Sequence, residues 1–422
     1  MQNREYFFQI LSRFLFGLIA LFASLSLAQA QVNQAATEKA FQNWLAKDLW
    51  PEAQAAGVSS GTFNKAFAGV SINWKLPDLV VPGTKPTTPK KQTQAEFGAP
   101  ANYFNAKTMQ QLTQGGQARL KQYASVLGAI EKQYGVPKQT LLAVWGRESG
   151  FGGVKIPYNA FEVLGTKAFM ATRKDMFRKE LIAALQIIQR GYIEVGSMKS
   201  SWAGALGQPQ FMPTSYLQHA VDFDGDGKRD IWNSVPDTLG SIANYLHHSG
   251  WQRGRDWGFE VNVPENLSCS LEGPDQGKTI AEWARLGIKR VNGKAFPAHE
   301  LKGDGFLLMP AGRHGPAFIV TPNFYVLKAY NMSDLYALFI GHVGDRIAYG
   351  AGNFQQPWGA VGHMYRSDVA AMQKKLQGHG LDVGNPDGLV GFKTRRSIGL
   401  WQTKAGLQPT CFPDQALLKQ IR

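Results

Sequence analysis

The chain has 422 residues, of which 44% are hydrophobic and 18% charged; that excludes wholesale disorder and leaves room for two or three domains. Lysine and arginine total 45 against 31 acidic residues, a formal charge of +14. The basic residues run no longer than pairs such as Lys90-Lys91 and Arg395-Arg396, which argues against a nucleic-acid binder and fits either a polyanionic surface or an ordinary soluble protein.

Residues 1–30 read as a secretory signal. Arg4 and Arg13 supply the positive region, Phe14–Leu27 is apolar and uncharged, and Ala28-Gln29-Ala30 offers small residues for cleavage. The apolar run is shorter than the ~20 residues that span a bilayer, and no cysteine follows it to carry a lipid. An exported, periplasmic protein with no stable membrane insertion after signal removal is expected. Residues 38–68 carry Phe41, Leu45, Leu49, Phe63 and Phe67 at helical spacing. Gly57-Val58-Ser59 interrupts them, and Ser60 is the expected cap of the second helix. Residues 82–100, rich in Pro, Lys, Thr and Gln, read as a long surface connection without helix or strand.

From 115 to 250 the pattern is helical. Leu120, Tyr123, Leu127, Ile130 and Tyr134 form one stripe; Phe177, Leu181, Leu185, Ile188 and Tyr192 form another. Within a helix over 138–149, Leu141, Val144, Trp145 and Glu148 fall at i, i+3, i+4 and i+7. Glu148 therefore continues an apolar stripe in the last turn, before Ser149-Gly150-Phe151-Gly152. Burial and the negative end of the helix dipole both raise its pKa. A glutamic acid kept protonated near neutral pH can donate to a leaving oxygen; a core ion pair or a turn out to solvent are the other readings of the same spacing. Residues 201–216 combine small residues with the neutral polar groups Ser201, Gln208, Gln210 and Tyr216 beside Phe211 and Met212. That mixture suits a sugar, with hydroxyls on its edges and C–H groups on its faces, and it equally suits a tight capped turn.

Asp222-Phe-Asp224-Gly-Asp226-Gly-Lys228-Arg-Asp230 matches most of the first nine positions of a calcium loop. Arg229 stands where an apolar residue is usual, and Asn233 where a bidentate glutamate is usual; the next carboxylate is Asp237, which either closes the loop or caps the following helix. Residues 257–320 alternate in short apolar stretches and read as a small β-containing insertion. Helix returns at 333–347, residues 350–362 form a Gly-rich linker, and 363–422 form a small helical unit. Cys269 and Cys411 leave one bridge open and exclude a four-cysteine zinc site.

Three segments, Trp145–Gly152, Ser201–Tyr216 and Phe324–Tyr336, together resemble the lysozyme-like lytic transglycosylases of the membrane-bound lytic transglycosylase B type, over roughly residues 38–347. The resemblance implies a mainly α protein. Its parts would be a lysozyme-like α+β catalytic domain over 31–349, with the insertion at about 257–320, and a small helical C-terminal domain. It assigns Glu148 as the sole catalytic carboxylate and Ser201, Gln210, Tyr245, Tyr330, Asn331 and Tyr336 as glycan contacts. It implies an EF-hand-like Ca2+ site from Asp222, Asp224, Asp226 and Asp237, with the backbone carbonyl of Lys228, in a structural role and with no organic cofactor. Residues 366–422 resemble the small helical peptidoglycan-binding domain, on Val369, Met372-Gln373, Leu376, Asp387-Gly388, Thr394, Ile398 and Trp401-Gln402; Thr410-Cys411 departs from the Asp-Gly expected near the last turn.

The implied partner is the peptidoglycan glycan strand, with cell-wall synthesis or remodelling proteins as further candidates. The implied reaction is non-hydrolytic cleavage between N-acetylmuramic acid (MurNAc) and N-acetylglucosamine (GlcNAc), one glutamate serving as acid and then base. A two-carboxylate glycosidase needs a second acid ~5–9.5 Å away, and Glu162 and Asp175 are merely the nearest in sequence. A hydrolytic muramidase and an inactive wall-binding scaffold are the alternatives.

Overall fold

The apolar stripes become the buried faces of helices. The structure, a computed structural model, describes residues 34–84 and 95–421; the expected signal, 1–30, lies outside them. The described residues fall into two compact units. One comprises 34–84, 156–206 and 211–217, the other 95–155, 207–210 and 218–421.

In the first unit a helix over residues 34–44 passes through a π-helical turn, Leu45–Leu49, into Trp50–Ala55. Phe41, Leu45 and Leu49 are buried on it. Gly57, at φ 84°, makes the break. The next helix, Ser60–Phe67, is capped by Ser59, whose hydroxyl accepts from Thr62 N–H at 3.2 Å; the expected cap, Ser60, is instead the first helical residue. Helices Ala160–Met170 and Lys174–Gln189 pack together. Tyr192, assigned to the second stripe, lies beyond that helix end. Strands β1 (Tyr158–Asn159) and β2 (Lys199–Ser200) pair antiparallel.

The second unit is built on helices Ala106–Gln122, Ala124–Tyr134, Lys138–Ser149, Val235–His248, Pro322–Asn331 and Asp334–Tyr349. Leu127, Ile130, Leu141, Val144, Trp145, Leu239, Phe324 and Phe339 lie in one apolar cluster. The Leu120–Tyr134 stripe is split, because the chain leaves helix at Tyr123. The connection expected over 82–100 ends in helical turns, Ala95–Gly98 and Pro100–Tyr103.

The insertion is a five-stranded antiparallel sheet in the order β4-β6-β7-β3-β5. Its strands are β3 (Gly258–Asn262), β4 (Lys278–Thr279), β5 (Lys289–Arg290), β6 (Asp304–Leu308) and β7 (Ala317–Val320). β7, in the middle, is buried at every position, as a central strand covered on both faces should be. Residues 350–362 lie against this sheet. Glu260 of β3 accepts from the backbone of Gln355 and Gln356 at 3.0 and 2.7 Å, and Trp358 stacks on Phe104 at 5.3 Å.

Helices Arg366–Gly378, Phe392–Lys404 and Gln415–Gln420 make the C-terminal module. Its apolar cluster takes in Ala311 of the insertion. Cys411 enters the cluster of the sheet, where it is disulfide-bonded to Cys269. Arg395, 2% exposed, bonds Glu272, 0% exposed, at 2.6 Å. A cross-link between residues so far apart in sequence restricts the unfolded chain strongly. The double variant Cys269→Ser/Cys411→Ser should lose about 2–4 kcal/mol in urea unfolding, and added reductant should cost the parent, but not the variant, the same amount.

Candidate active site

The site is assembled around helix Lys138–Ser149. Gly150, at φ 58°, stops the helix in the left-handed conformation, as a C-terminal glycine does at little cost. The chain then doubles back: Gly152 N–H donates to Ser149 Oγ at 3.0 Å, and Phe151 meets Trp145 edge-on at 5.4 Å. Gly152 must be glycine for a second reason besides its positive φ. A Cβ there would lie 2.5 Å from Gln208 Oε1, and that oxygen accepts from the Trp145 indole N–H at 2.8 Å. Gln208 Nε2 donates in turn to the Trp232 carbonyl at 2.9 Å. Gln208 thus fastens the helix to the Gly207–Gln210 segment.

Glu148 leaves this helix partly buried. Its Oε1 accepts from the Tyr336 hydroxyl at 2.6 Å. Burial pushes its carboxyl up to about 7, against the Tyr336 hydrogen bond and the Arg147 charge, both of which favour the ionised form. Arg147 itself turns to Tyr103: its guanidinium lies 5.0 Å from that ring and Nη2 donates to the Tyr103 oxygen at 3.2 Å.

The tyrosines form a row. Tyr336 is buried and its ring lies parallel to Tyr330, 6.2 Å away; Tyr330 meets Tyr245 edge-on at 4.8 Å. Tyr330 donates to the Pro209 carbonyl at 2.8 Å and Tyr245 to the Ala329 carbonyl at 2.9 Å. Burial raises the phenols of Tyr330 and Tyr336 well above the usual tyrosine value, with the Glu148 charge adding to it. Both therefore stay protonated donors. Asn331 ends helix Pro322–Asn331 and is exposed. Gln210, at φ 54°, sits next to Pro209 and turns its amide back onto the Gly207 carbonyl at 2.9 Å. The structure thus brings Glu148, Tyr336, Tyr330 and Tyr245 into one row, with Gln210 on the segment that Tyr330 holds. Ser201 belongs to the first unit, where its Oγ accepts from Ala205 N–H at 3.2 Å.

Sequence reasoning placed Gln208 among sugar-facing groups; its amide is instead committed beneath the helix. It missed Glu96 altogether, which accepts from the backbone of Asp334 and Leu335 at the start of the Tyr336 helix, at 2.7 and 3.4 Å. No local signal separates Glu96 from a solvated residue of the Lys- and Thr-rich stretch before it.

In the acidic loop, Asp222, Asp224 and Asp237 bring carboxylate oxygens within 4.8 Å of one another. Asp226 is outside that group; its Oδ1 accepts from Lys228 N–H at 2.8 Å. The helix after the loop is capped by Ser234. Asp237, fully buried in its first turn, reaches back to accept from Phe223 and Asp230 N–H at 2.7 and 2.8 Å. An all-oxygen donor set suits a hard cation, and burial raises the Asp237 carboxyl, a cost that a cation would relieve.

A partly buried carboxylic acid beside a row of tyrosines is an arrangement that can protonate a leaving oxygen. Residues 40–345 match the transglycosylase SLT domain and 365–421 the putative peptidoglycan binding domain. The chain belongs to the transglycosylase SLT family and is an enzyme of the lytic transglycosylase class. It is 28% identical over 268 residues to membrane-bound lytic murein transglycosylase B of Escherichia coli K12, covering 62% of this chain and 71% of that one. The structure of SltB3 from Pseudomonas aeruginosa in complex with NAG-anhNAM-pentapeptide superposes with a TM-score of 0.79 at 37% identity, covering 90% of this chain and 99% of that one. The E. coli lytic transglycosylase Slt35 in complex with calcium superposes with a TM-score of 0.51 at 28% identity, covering 61% and 80%.

The raised Glu148 carboxyl has a consequence for stability. Its native value of about 7 lies above its ordinary value of 4.5. Stability is therefore full below the lower value and is lost as pH rises through the upper one. Glu148→Gln removes this penalty. The variant should gain up to about 3 kcal/mol over the parent at about pH 8, and close to nothing at about pH 4, as read by paired urea unfolding curves.

Proposed function

We propose that the protein is an exported enzyme that cleaves the MurNAc–GlcNAc β-1,4 bond of peptidoglycan without water, leaving 1,6-anhydro-MurNAc ends. The observation that carries this reading is the carboxyl of Glu148, raised by burial to about 7 and hydrogen-bonded to the Tyr336 hydroxyl at 2.6 Å. Protonated Glu148 gives its proton to the glycosidic oxygen as the C1–O bond breaks. The resulting carboxylate takes the proton of the MurNAc C6 hydroxyl, whose oxygen bonds to C1 and closes the anhydro ring. The proton has moved from C6-OH to the leaving GlcNAc, no water is consumed, and Glu148 returns to its starting state. Positive charge at C1 is met by the substrate's own acetamido group. Tyr245, Tyr330, Tyr336, Asn331 and Gln210 position the sugar, and Ser201 joins them by its place in the motif alone. The segment 1–30 supports export to the periplasm. The pentapeptide-bearing sugar complexes of SltB3 support the substrate class.

Purified sacculi digested with the enzyme should release muropeptides one water lighter than hydrolysis products, read by mass spectrometry. Reducing-end MurNAc as the only product would instead assign a hydrolytic muramidase. Glu148→Gln should lower the rate about 10²–10⁴-fold, with the fold intact by circular dichroism.

Asp222, Asp224, Asp226, Asp237 and the Lys228 carbonyl are proposed to hold one Ca2+. The ion neutralises the loop and supports the start of helix Val235–His248, which carries Tyr245; it takes no part in the chemistry. Slt35, with calcium in its crystal, supports the choice of ion. Added calcium at about 100 times its Kd should stabilise metal-stripped protein by about 2.7 kcal/mol, seen as a rise in Tm that Asp237→Asn abolishes. No rise in the parent protein would remove the calcium site.

A further inference from the structure

Glu148 is held by one phenol, and that phenol is held by the first turn of its own helix. Ser333 caps the turn. Its Oγ accepts from Tyr336 N–H at 3.1 Å and donates to Glu96. Glu96 then accepts from the next two backbone amides, those of Asp334 and Leu335. Three carboxylates gather around this helix end: Glu96, Asp334 and Glu272. A helix N-terminus favours negative charge, but three like charges with little water between them need cations.

Two cations bond these carboxylates directly. Lys328, on the helix that carries Tyr330, bonds Asp334 Oδ1 at 2.7 Å. Arg395 takes Glu272 by Nη2 at 2.6 Å and Nε at 3.0 Å, and reaches Asp334 Oδ2 at 3.5 Å. Glu272, Asp334 and Glu96 all act on the Arg395 charge. Asp334 thus stands between two cations, one tied to the Tyr330 helix and the other coming from the C-terminal module.

Arg395 lies in the peptidoglycan-binding region, 365–421, and outside the transglycosylase region, 40–345. We propose that Arg395 is a positioning residue for glycan cleavage: by neutralising Asp334 and Glu272 it fixes the turn from which Tyr336 reaches Glu148. The C-terminal module is then part of the catalytic frame, and the inference rests on Glu148 being the acid. Without Arg395, Lys328 is the one cation bonded to these three carboxylates, since Arg396, which also acts on Glu272, is paired with Asp275. Asp334, whose side chain is 10% exposed while Glu272 is 0% exposed, is the group free to turn away. Its backbone is the first of the Tyr336 helix, so turning it shifts both the Tyr336–Glu148 contact and the Tyr330–Tyr336 stack. Displacements of about 1 Å can cost up to a hundredfold in rate.

The test uses the full chain and a short soluble glycan, for which a wall tether offers no advantage. Arg395→Met with Glu272→Met replaces a buried ion pair by apolar side chains and leaves no orphan charge. Asp334→Asn keeps that pair and removes only the charge that Arg395 and Lys328 share. We expect kcat to fall about tenfold in the double variant and about threefold in Asp334→Asn, with KM within about twofold of the parent. The alkaline limb of kcat/KM should move to higher pH, as it should also in Tyr336→Phe run alongside as the control, because the lost hydrogen bond favoured the ionised carboxyl. The groups facing Glu148 are Tyr336, Arg147, Tyr330 and Tyr103, and neither variant changes any of them. A parental kcat and an unmoved limb, in whichever variant melts within a few degrees of the parent, would overturn the proposal. If Glu148→Gln is inactive while both variants match the parent, only the role of Arg395 fails. If Glu148→Gln stays active, the underlying assignment of the acid fails first.

Discussion

The hydrogen bond from Tyr336 to Glu148, 2.6 Å long, reconciles the two demands that the proposed mechanism makes on one carboxyl. As an acid it must hold a proton near neutral pH; as a base it must lose that proton within the same turnover. Burial alone would drive the group too far toward the first state. The phenol restrains that rise, and the value settles at about 7. Tyr336 can do this at any working pH because its own ionisation is opposed by burial and by the charge of Glu148. The donor is permanent, so its share of the balance is set by its distance from the carboxyl. Much of the second unit serves to keep that distance: Gln208 beneath one helix, and Ser333, Glu96 and Asp334 at the start of the other.

Glu148 was legible because its signal is local. A carboxylate at i+7 of an apolar stripe, followed at once by a glycine stop, is visible within twelve residues, and the structure gives helix Lys138–Ser149 as read. The alternating stretches that mark the sheet are local in the same way. Errors arose where two adjacent residues offer the same chemistry, as with Ser59 and Ser60, or where a stripe runs unbroken through a change of helix at Tyr123. Tyr336 is a different case. Nothing near it marks it as the partner of a carboxyl 188 residues away; only resemblance placed it at the site. Gln208 and Gln210 are two residues apart with the same side chain. Which of them is spent on the scaffold depends on the backbone turn and on the room that Gly152 leaves, and periodicity carries neither.

The charges were the least legible feature. A surplus of basic residues reads naturally as a property of the surface, yet part of it is internal. Arg395 is buried against two carboxylates, and Arg313 donates to the carbonyls of Pro264, Glu265 and Leu267. Each of these residues, seen in sequence, is one more solvated cation. The disulfide is similar: two cysteines far apart leave a bridge open, and only the fold brings the last turn of the module to Cys269.

These internal charges also change what a wall-binding module can contribute. Tethering raises the effective concentration of a second site when the connection is flexible enough for both sites to be engaged. Here residues 350–362 are bonded along the sheet, Cys411 is bridged into its core, and Arg395 is buried on Glu272. A module held at three places has little freedom of its own to lend to avidity. Its fixed attachment has a different use, since a buried ion pair is costly to form and costly to break on one side. Arg395 and Glu272 therefore stay paired wherever the chain is folded, and the charge on Asp334 is balanced for as long as the module is docked. The frame that holds Tyr336 against Glu148 is complete only when the C-terminal helices have folded onto the sheet.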